Sequence, residues 1–268
     1  NLIKKIKMSA GIYIHFPFCK VKCMYCDFYS IPKREDEIPK FVETLATEIS
    51  LYADSHDINW EFDTIFLGGG TPSLFTVKGL ELILETLDQK FDISNVKEIT
   101  LEANPGEAPY EKLKAFRELG VNRLSMGFQS FDADLLTFLG RIHNPDDCFN
   151  TFKNARKAGF DNINADLIFD IPGQSLRKWK KDLKTLVDLQ PEHISAYSLT
   201  VEENTTLFGL VKSGKVKMPS DILDFAMFKH TRDFLSQNNY KSYEISNYCK
   251  TGMECKHNLH YWNLDNYL

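Results

Sequence analysis

Six short apolar runs recur through the first two hundred residues. Each ends abruptly in glycine, proline or a polar cluster, and each is followed by a segment of helical periodicity. The runs are Gly11-Ile12-Tyr13-Ile14-His15-Phe16 and residues 63–67, 97–102, 121–126, 162–168 and 193–198. Between the first two, Ile38, Phe41, Leu45, Ile49 and Tyr52 recur at steps of three and four, which predicts a helix over 35–53 with Pro39 in its first turn. Further helices are predicted through Leu80, Ile83 and Leu87, over 110–119 (closed by Gly120), near 135–139, over 146–158 (closed by Gly159) and over 176–189. A spacing of about 30 residues is the size of a βα unit, and such alternation means a parallel sheet. The expected fold class is therefore α/β, a partial (βα)6 barrel of the TIM type.

In such a barrel the reactive groups gather at the C-terminal ends of the strands. The unusual clusters of this sequence fall at those ends: Cys19, Cys23 and Cys26; Gly68-Gly69-Gly70-Thr71-Pro72-Ser73; Glu102-Ala103-Asn104-Pro105; Gln129-Ser130; Asp166; and Tyr197. An open doubly wound sheet would instead collect its ligand at one switch point. After residue 200 the rhythm changes. Helices are predicted over 207–212 and 222–234 and a last strand over 240–245, so the chain divides into a barrel core, 1–200, and a C-terminal α+β extension, 201–268.

The cysteines carry the sharpest chemistry. Their C-x3-C-x2-C spacing occupies eight residues of a loop after the first strand, with Pro17 ending the ladder, so the sulfurs can converge on one point. Structural zinc usually closes with four ligands. Three thiolates on a four-iron cluster would leave one iron open for chemistry. A zinc site, a disulfide with a spare thiol and packed free cysteines are the alternatives to a cluster. Cys148, Cys249 and Cys255 are scattered and read as ordinary thiols.

Composition narrows the partners. Net charge is −5, from 32 basic and 37 acidic residues, which gives no support to a nucleic-acid partner. No apolar run approaches the length of a membrane span. Residues 1–7 are basic but lack the apolar centre of a signal peptide, and Met8 is a candidate start. A metal-like cysteine cluster points to a reducing, cytoplasmic setting. The Gly68–Gly70 run allows close backbone approach but lacks the Gly-Lys-Ser/Thr of a P-loop. Glu102, Gln129, Arg141 and Asp166 are each unremarkable singly.

With Tyr25 between its last two cysteines, the loop is similar to that of the radical S-adenosylmethionine (SAM) superfamily. The longer string Tyr13-Ile14-His15-Phe16-Pro17-Phe18-Cys19 … Cys23-Met24-Tyr25-Cys26-Asp27-Phe28 resembles the oxygen-independent coproporphyrinogen III oxidases and the heme chaperones related to them. So do GGGTPS, Glu102-x-Asn104-Pro105, Arg123-x-Ser125-x-Gly127-x-Gln129-Ser130, Leu139-Gly140-Arg141-x-His143, Pro172-Gly173-Gln174 and Tyr243-Glu244-x-Ser246. The resemblance implies a [4Fe–4S] cluster on Cys19, Cys23 and Cys26. It implies SAM contacts from Tyr13, Tyr25, Gly69, Gly70, Thr71, Glu102, Gln129, Arg141 and Asp166. The oxidases usually carry another cysteine where Phe28 stands, and Cys26-Asp27-Phe28 is more like the chaperone branch. His257-Asn258-x-x-Tyr261-Trp262 also matches that branch, which implies heme bound through His257. The function implied is a heme chaperone that transfers heme to an acceptor protein. The alternative is an oxidase that decarboxylates porphyrinogen propionates. Either implies heme or porphyrinogen as ligand and a reductant such as flavodoxin or ferredoxin. Two departures stand out: Asp170 occupies a position where the family commonly has glycine, and family members continue past Leu268 with a further domain.

Overall fold

The computed structural model describes residues 8–56 and 60–268, so the expectation for residues 1–7 lies outside the described residues. The elements follow in the order β1 (Met8–Phe16), β2 (Phe18–Cys19), β3 (Ile31–Pro32), α1 (Ile38–Ser55), β4 (Trp60–Gly69), α2 (Val77–Lys90) and β5 (Glu98–Ala103). Next come α3 (Tyr110–Glu118), β6 (Arg123–Gln129), α4 (Ala133–Leu139), α5 (Pro145–Lys157), β7 (Ile163–Phe169), α6 (Leu176–Leu189) and β8 (His193–Ser198). The chain ends with α7 (Thr206–Lys212), α8 (Asp221–Gln237), β9 (Lys241–Ser242), β10 (Asn247–Cys249), α9 (Lys256–Asn263) and β11 (Asn266–Tyr267).

The six predicted strands are β1 and β4 to β8. They lie side by side in sequence order, every neighbouring pair parallel. Such strands are covered on both faces and read as nearly continuous apolar runs; all seven residues of β6 are buried. Helix starts are written in the sequence as caps. Thr76, Asp132, Ser175, Thr205 and Ser220 each accept a backbone N–H of the helix that follows, and Asn144 with Asp147 forms a capping box. Trp179, fully buried on α6, donates its indole N–H to Thr231 Oγ1 on α8 at 2.9 Å, which fixes those two helices together.

The C-terminal segment differs from expectation. The strand predicted over 240–245 is replaced by two shorter ones, β9 and β10, with Ile245 exposed between them. Asn247–Cys249 takes the sheet position instead, because its three residues are buried against β8 in an antiparallel pairing. β11, which was not predicted, pairs parallel with β1 at the opposite edge. Contacts of this segment thus run across the sheet from β8 to β4. Tyr243 Oη meets His193 Nε2 on β8 at 2.8 Å, Glu98 on β5 caps the start of α9, and His257 meets Thr64 on β4. β9, β10 and β11 all belong to the same nine-stranded sheet as the core, whose edge strands β11 and β9 have no further strand partner among the described residues.

Candidate functional site

The cysteine loop is held from three sides. Its base is closed by the β2–β3 pair, with Ile31 N donating to Pro17 O at 2.7 Å and Lys33 N to Cys19 O at 3.1 Å. Its tip is anchored through Met24, whose N–H reaches Leu139 O at the end of α4 and whose carbonyl accepts from Leu207 N at the start of α7. Tyr25 packs against the apolar cluster of Leu135, Leu139, Ile168, Ile171, Leu199 and Leu207. Cys19 is buried, while Cys23 and Cys26 are half-buried. All three line one cleft of ≈ 140 Å³ at the strand ends. They do not meet at a point: among the described residues, no three His, Cys, Asp or Glu side chains are arranged to hold a single metal ion. All three border the cleft itself, where each thiolate would hold a separate iron of a cluster. Burial pushes the Cys19 and Cys26 thiols up, with the Thr71 hydroxyl opposing at Cys19 and the Phe28 backbone at Cys26.

The same cleft is lined by Tyr25, Gly69, Gly70, Thr71, Glu102, Gln129, Arg141 and Asp166. The fold therefore brings together every predicted site residue except Tyr13 and His257. Gln129 is aimed by a break in the β6–β7 register and by a φ of 66°, a left-handed conformation rare outside glycine. Arg141 donates to Gly127 O at 3.0 Å and to Cys23 Sγ at 3.6 Å. A larger cleft of ≈ 550 Å³ adjoins the first, shares Tyr25, Glu102, Gln129 and Asp166 with it, and is walled by Ile168, Tyr197 and Leu199. Phe28 and Tyr197 are exposed at its mouth.

The glycine run has a job of its own. A Cβ on Gly70 would stand 2.6 Å from Phe18 O, and one on Gly69 would meet the His15 ring at 2.6 Å. The Gly70 and Thr71 amides donate to Phe16 O and Phe18 O, and Gly69 N donates to Glu102 Oε2 at 3.1 Å. The absent side chains thus let the turn lie against the cysteine loop.

Glu102 and Asp166 give the cleft its electrostatic character. Burial, followed by repulsion from Asp166, pushes Glu102 up to about 8. Burial pushes Asp166 up to about 6 against the hydrogen bond it accepts from Asn164 at 2.6 Å. Two such carboxyls suit a ligand carrying fixed positive charge, which would draw both into their ionised forms. The donor set thus fits an iron–sulfur cluster and a sulfonium amino acid side by side.

Tyr13 and His257 are placed elsewhere. Tyr13 lies over Phe66 and pairs its hydroxyl with His15 Nδ1 at 3.1 Å. His257 is 1% exposed, with Nδ1 on Thr64 Oγ1 and Nε2 on Tyr261 Oη, both at 2.9 Å. Burial, then His260, holds it down at about 4, so it is neutral. With both ring nitrogens engaged and the ring against Gly11, these surroundings do not fit an axial heme ligand. Asn104, which joins Arg141 to Thr71, was quoted in the sequence only as part of a motif.

Fold and site together define a parallel βα protein that carries three thiols and two half-buried carboxyls at one set of strand ends. The profile of the Radical SAM superfamily matches residues 13–186. Heme chaperone HemW of Bacillus subtilis is 38% identical over 257 residues, covering 95% of this chain and 67% of that protein. HemW of Escherichia coli is 36% identical over 264 residues, 96% of this chain and 67% of that protein. A mitochondrial radical S-adenosyl methionine domain-containing protein 1 of Danio rerio is 35% identical, covering 97% of this chain and 59% of that one. Among solved structures, coproporphyrinogen III oxidase HemN of Escherichia coli superposes with a TM-score of 0.82 at 25% identity, over 92% of this chain and 57% of that one. The chain belongs to the radical SAM superfamily and, within it, to the heme-chaperone branch that the HemW proteins represent. It spans about two thirds of the length of those curated relatives. No helix among the described residues is long and apolar enough to cross a membrane.

Proposed function

We propose that this chain is the core of a heme chaperone that holds a [4Fe–4S] cluster on Cys19, Cys23 and Cys26, binds SAM beside it, and passes heme to an acceptor protein. The observation that carries the reading is that one cleft gathers the three thiols, Arg141 and the carboxyls of Glu102 and Asp166. A bound cluster would supply an electron to the sulfonium ligand. The chain's own residues hold the cluster loop at Met24 and Tyr25, face the cationic ligand with Glu102 and Asp166, and leave the larger cleft open above it. Tyr13 serves this arrangement from behind, by seating His15 against the glycine turn. A reductant such as flavodoxin or ferredoxin and a reducing, cytoplasmic setting belong to the same proposal.

The test is anaerobic reconstitution followed by iron and acid-labile sulfide analysis and electron paramagnetic resonance with and without SAM. A four-iron signal that changes on adding SAM supports the reading; no cluster, or a signal indifferent to SAM, overturns it. Heme binding is followed by visible absorption in the parent and in His257→Ala. Identical spectra would remove His257 as ligand, and loss of the bound-heme spectrum would mean that α9 leaves its seat. The likeness to the HemN oxidase favours a second reading, porphyrinogen decarboxylation. Anaerobic incubation with dithionite, SAM and coproporphyrinogen III decides it by whether protoporphyrinogen forms.

A further inference from the structure

Two of the three candidate cluster thiols are joined by an unbroken line of side-chain hydrogen bonds. Thr71 Oγ1 donates to Cys19 Sγ at 3.4 Å. Asn104 Nδ2 donates to Thr71 Oγ1 at 3.0 Å and to Glu107 Oε2 at 3.2 Å. Arg141 Nη2 donates to Asn104 Oδ1 at 2.5 Å, and Arg141 Nη1 donates to Cys23 Sγ at 3.6 Å. Asn104 stands at the middle.

Its orientation is dictated by chemistry. A guanidinium can only donate, so the Asn104 atom facing Arg141 is the oxygen and the one facing Thr71 is the nitrogen. Because Thr71 Oγ1 already accepts from Asn104, its own proton is turned toward Cys19 Sγ. On the other side, Asn104 Oδ1 and Gly127 O together hold one guanidinium nitrogen, which sets the other against Cys23 Sγ. One amide thus directs both sulfur hydrogen bonds, from a loop that holds no cysteine.

We propose that Asn104 is a positioning residue that sets the reduction potential of the cluster by aiming Thr71 and Arg141 at two of its sulfur ligands. The inference rests on the cluster reading above. Donors to the sulfurs stabilise the more negative, reduced cluster and raise its potential. Removing their alignment makes the cluster harder to reduce.

The experiment is a redox titration of the reconstituted protein followed by electron paramagnetic resonance, with iron and sulfide content measured alongside. The variants are Asn104→Leu, Thr71→Val, Thr71→Ser and the double variant Asn104→Leu/Thr71→Val; none adds a charge. The expected result is a midpoint shifted negative in Thr71→Val and at least as far in Asn104→Leu. Thr71→Ser returns to the parent value, and the double variant shifts by less than the two single shifts together. A cluster lost from Asn104→Leu, with circular dichroism and unfolding midpoint unchanged, also supports the proposal. A fully loaded Asn104→Leu with the parent midpoint overturns it. Should Asn104→Leu fail to fold, the two Thr71 variants decide: a negative shift restored by serine supports the relay, and parent values in both overturn it. A parent that assembles no cluster instead defeats the underlying reading, which keeps the two failures apart.

Discussion

Glu102→Gln isolates the electrostatic burden of the cleft. The substitution keeps the shape and an oxygen to accept Gly69 N–H, and removes the charge. Burial and Asp166 raise Glu102 from 4.5 to about 8. A carboxyl raised in the folded state contributes stability that is full below its ordinary value and is lost as pH climbs through the folded value. Between about pH 5 and pH 8 the unfolded chain has already released this proton while the folded chain retains it, at a cost of about 1.4 kcal/mol per pH unit. Over that window the parent should lose about 4 kcal/mol of stability that the glutamine variant keeps. Urea unfolding of cluster-free parent and variant at pH 5, 7 and 9 reads this directly. The two stability curves should separate progressively toward alkaline pH, with Glu102→Gln the more stable. The same variant should bind SAM more weakly, since its cationic ligand loses a counter-charge. Parallel pH profiles for parent and variant would refute the reasoning, because the carboxyl would then be hydrated or paired in a way that the geometry does not contain.

Three further outcomes are expected. Asp170 sits at φ 62°, where glycine is unstrained, and its buried Oδ1 has no hydrogen-bond partner, so Asp170→Gly should raise thermal stability by about 1 kcal/mol. Burial, then Asp224 and Asp221, push Asp170 up from 3.8 to about 6, so that gain should grow as pH rises from about 4 to about 6 and level off above it in calorimetric scans. Glu98→Ala removes the carboxylate that accepts Lys256 N and His257 N, and should cost about 2 kcal/mol and speed hydrogen exchange across α9. His257, held down at about 4, contributes stability that is present above its ordinary 6.5 and lost as pH falls toward 4; acid unfolding of His257→Phe should begin at lower pH than the parent's.

The centre of the sheet was legible because each of its strands is an apolar run long enough to show, and each ends in a residue of unusual chemistry. The cysteine spacing and the acids at Glu102 and Asp166 announced the cleft for the same reason. What escaped depends on contacts distant in sequence. β11 is two residues long, too short for any periodicity, and exists because Ala10 and Gly11 on β1 receive it. The strand expected over 240–245 was displaced because the pairing with β8 selects Asn247 to Cys249. The aromatic-rich run at His257 reads as ligand or as packing, and its bonds to Thr64 and Tyr261 join residues too far apart or too generic in pattern to be read from the run itself. Gly69 and Gly70 signalled room for close approach, but not that Phe18 and His15 of the chain itself lie against them.

The pairing of β11 with β1 has a consequence for biosynthesis. Ala10 finds its partner at Asn266, so everything between them must be made before the first strand is covered on that side. During translation the outer edge of β1 stays an unsatisfied template, open to pairing with a neighbouring nascent chain. A contact of such long sequence separation also closes late and slowly. Protection of the outer edge of β1 thus waits until Asn266 and Tyr267 have been made.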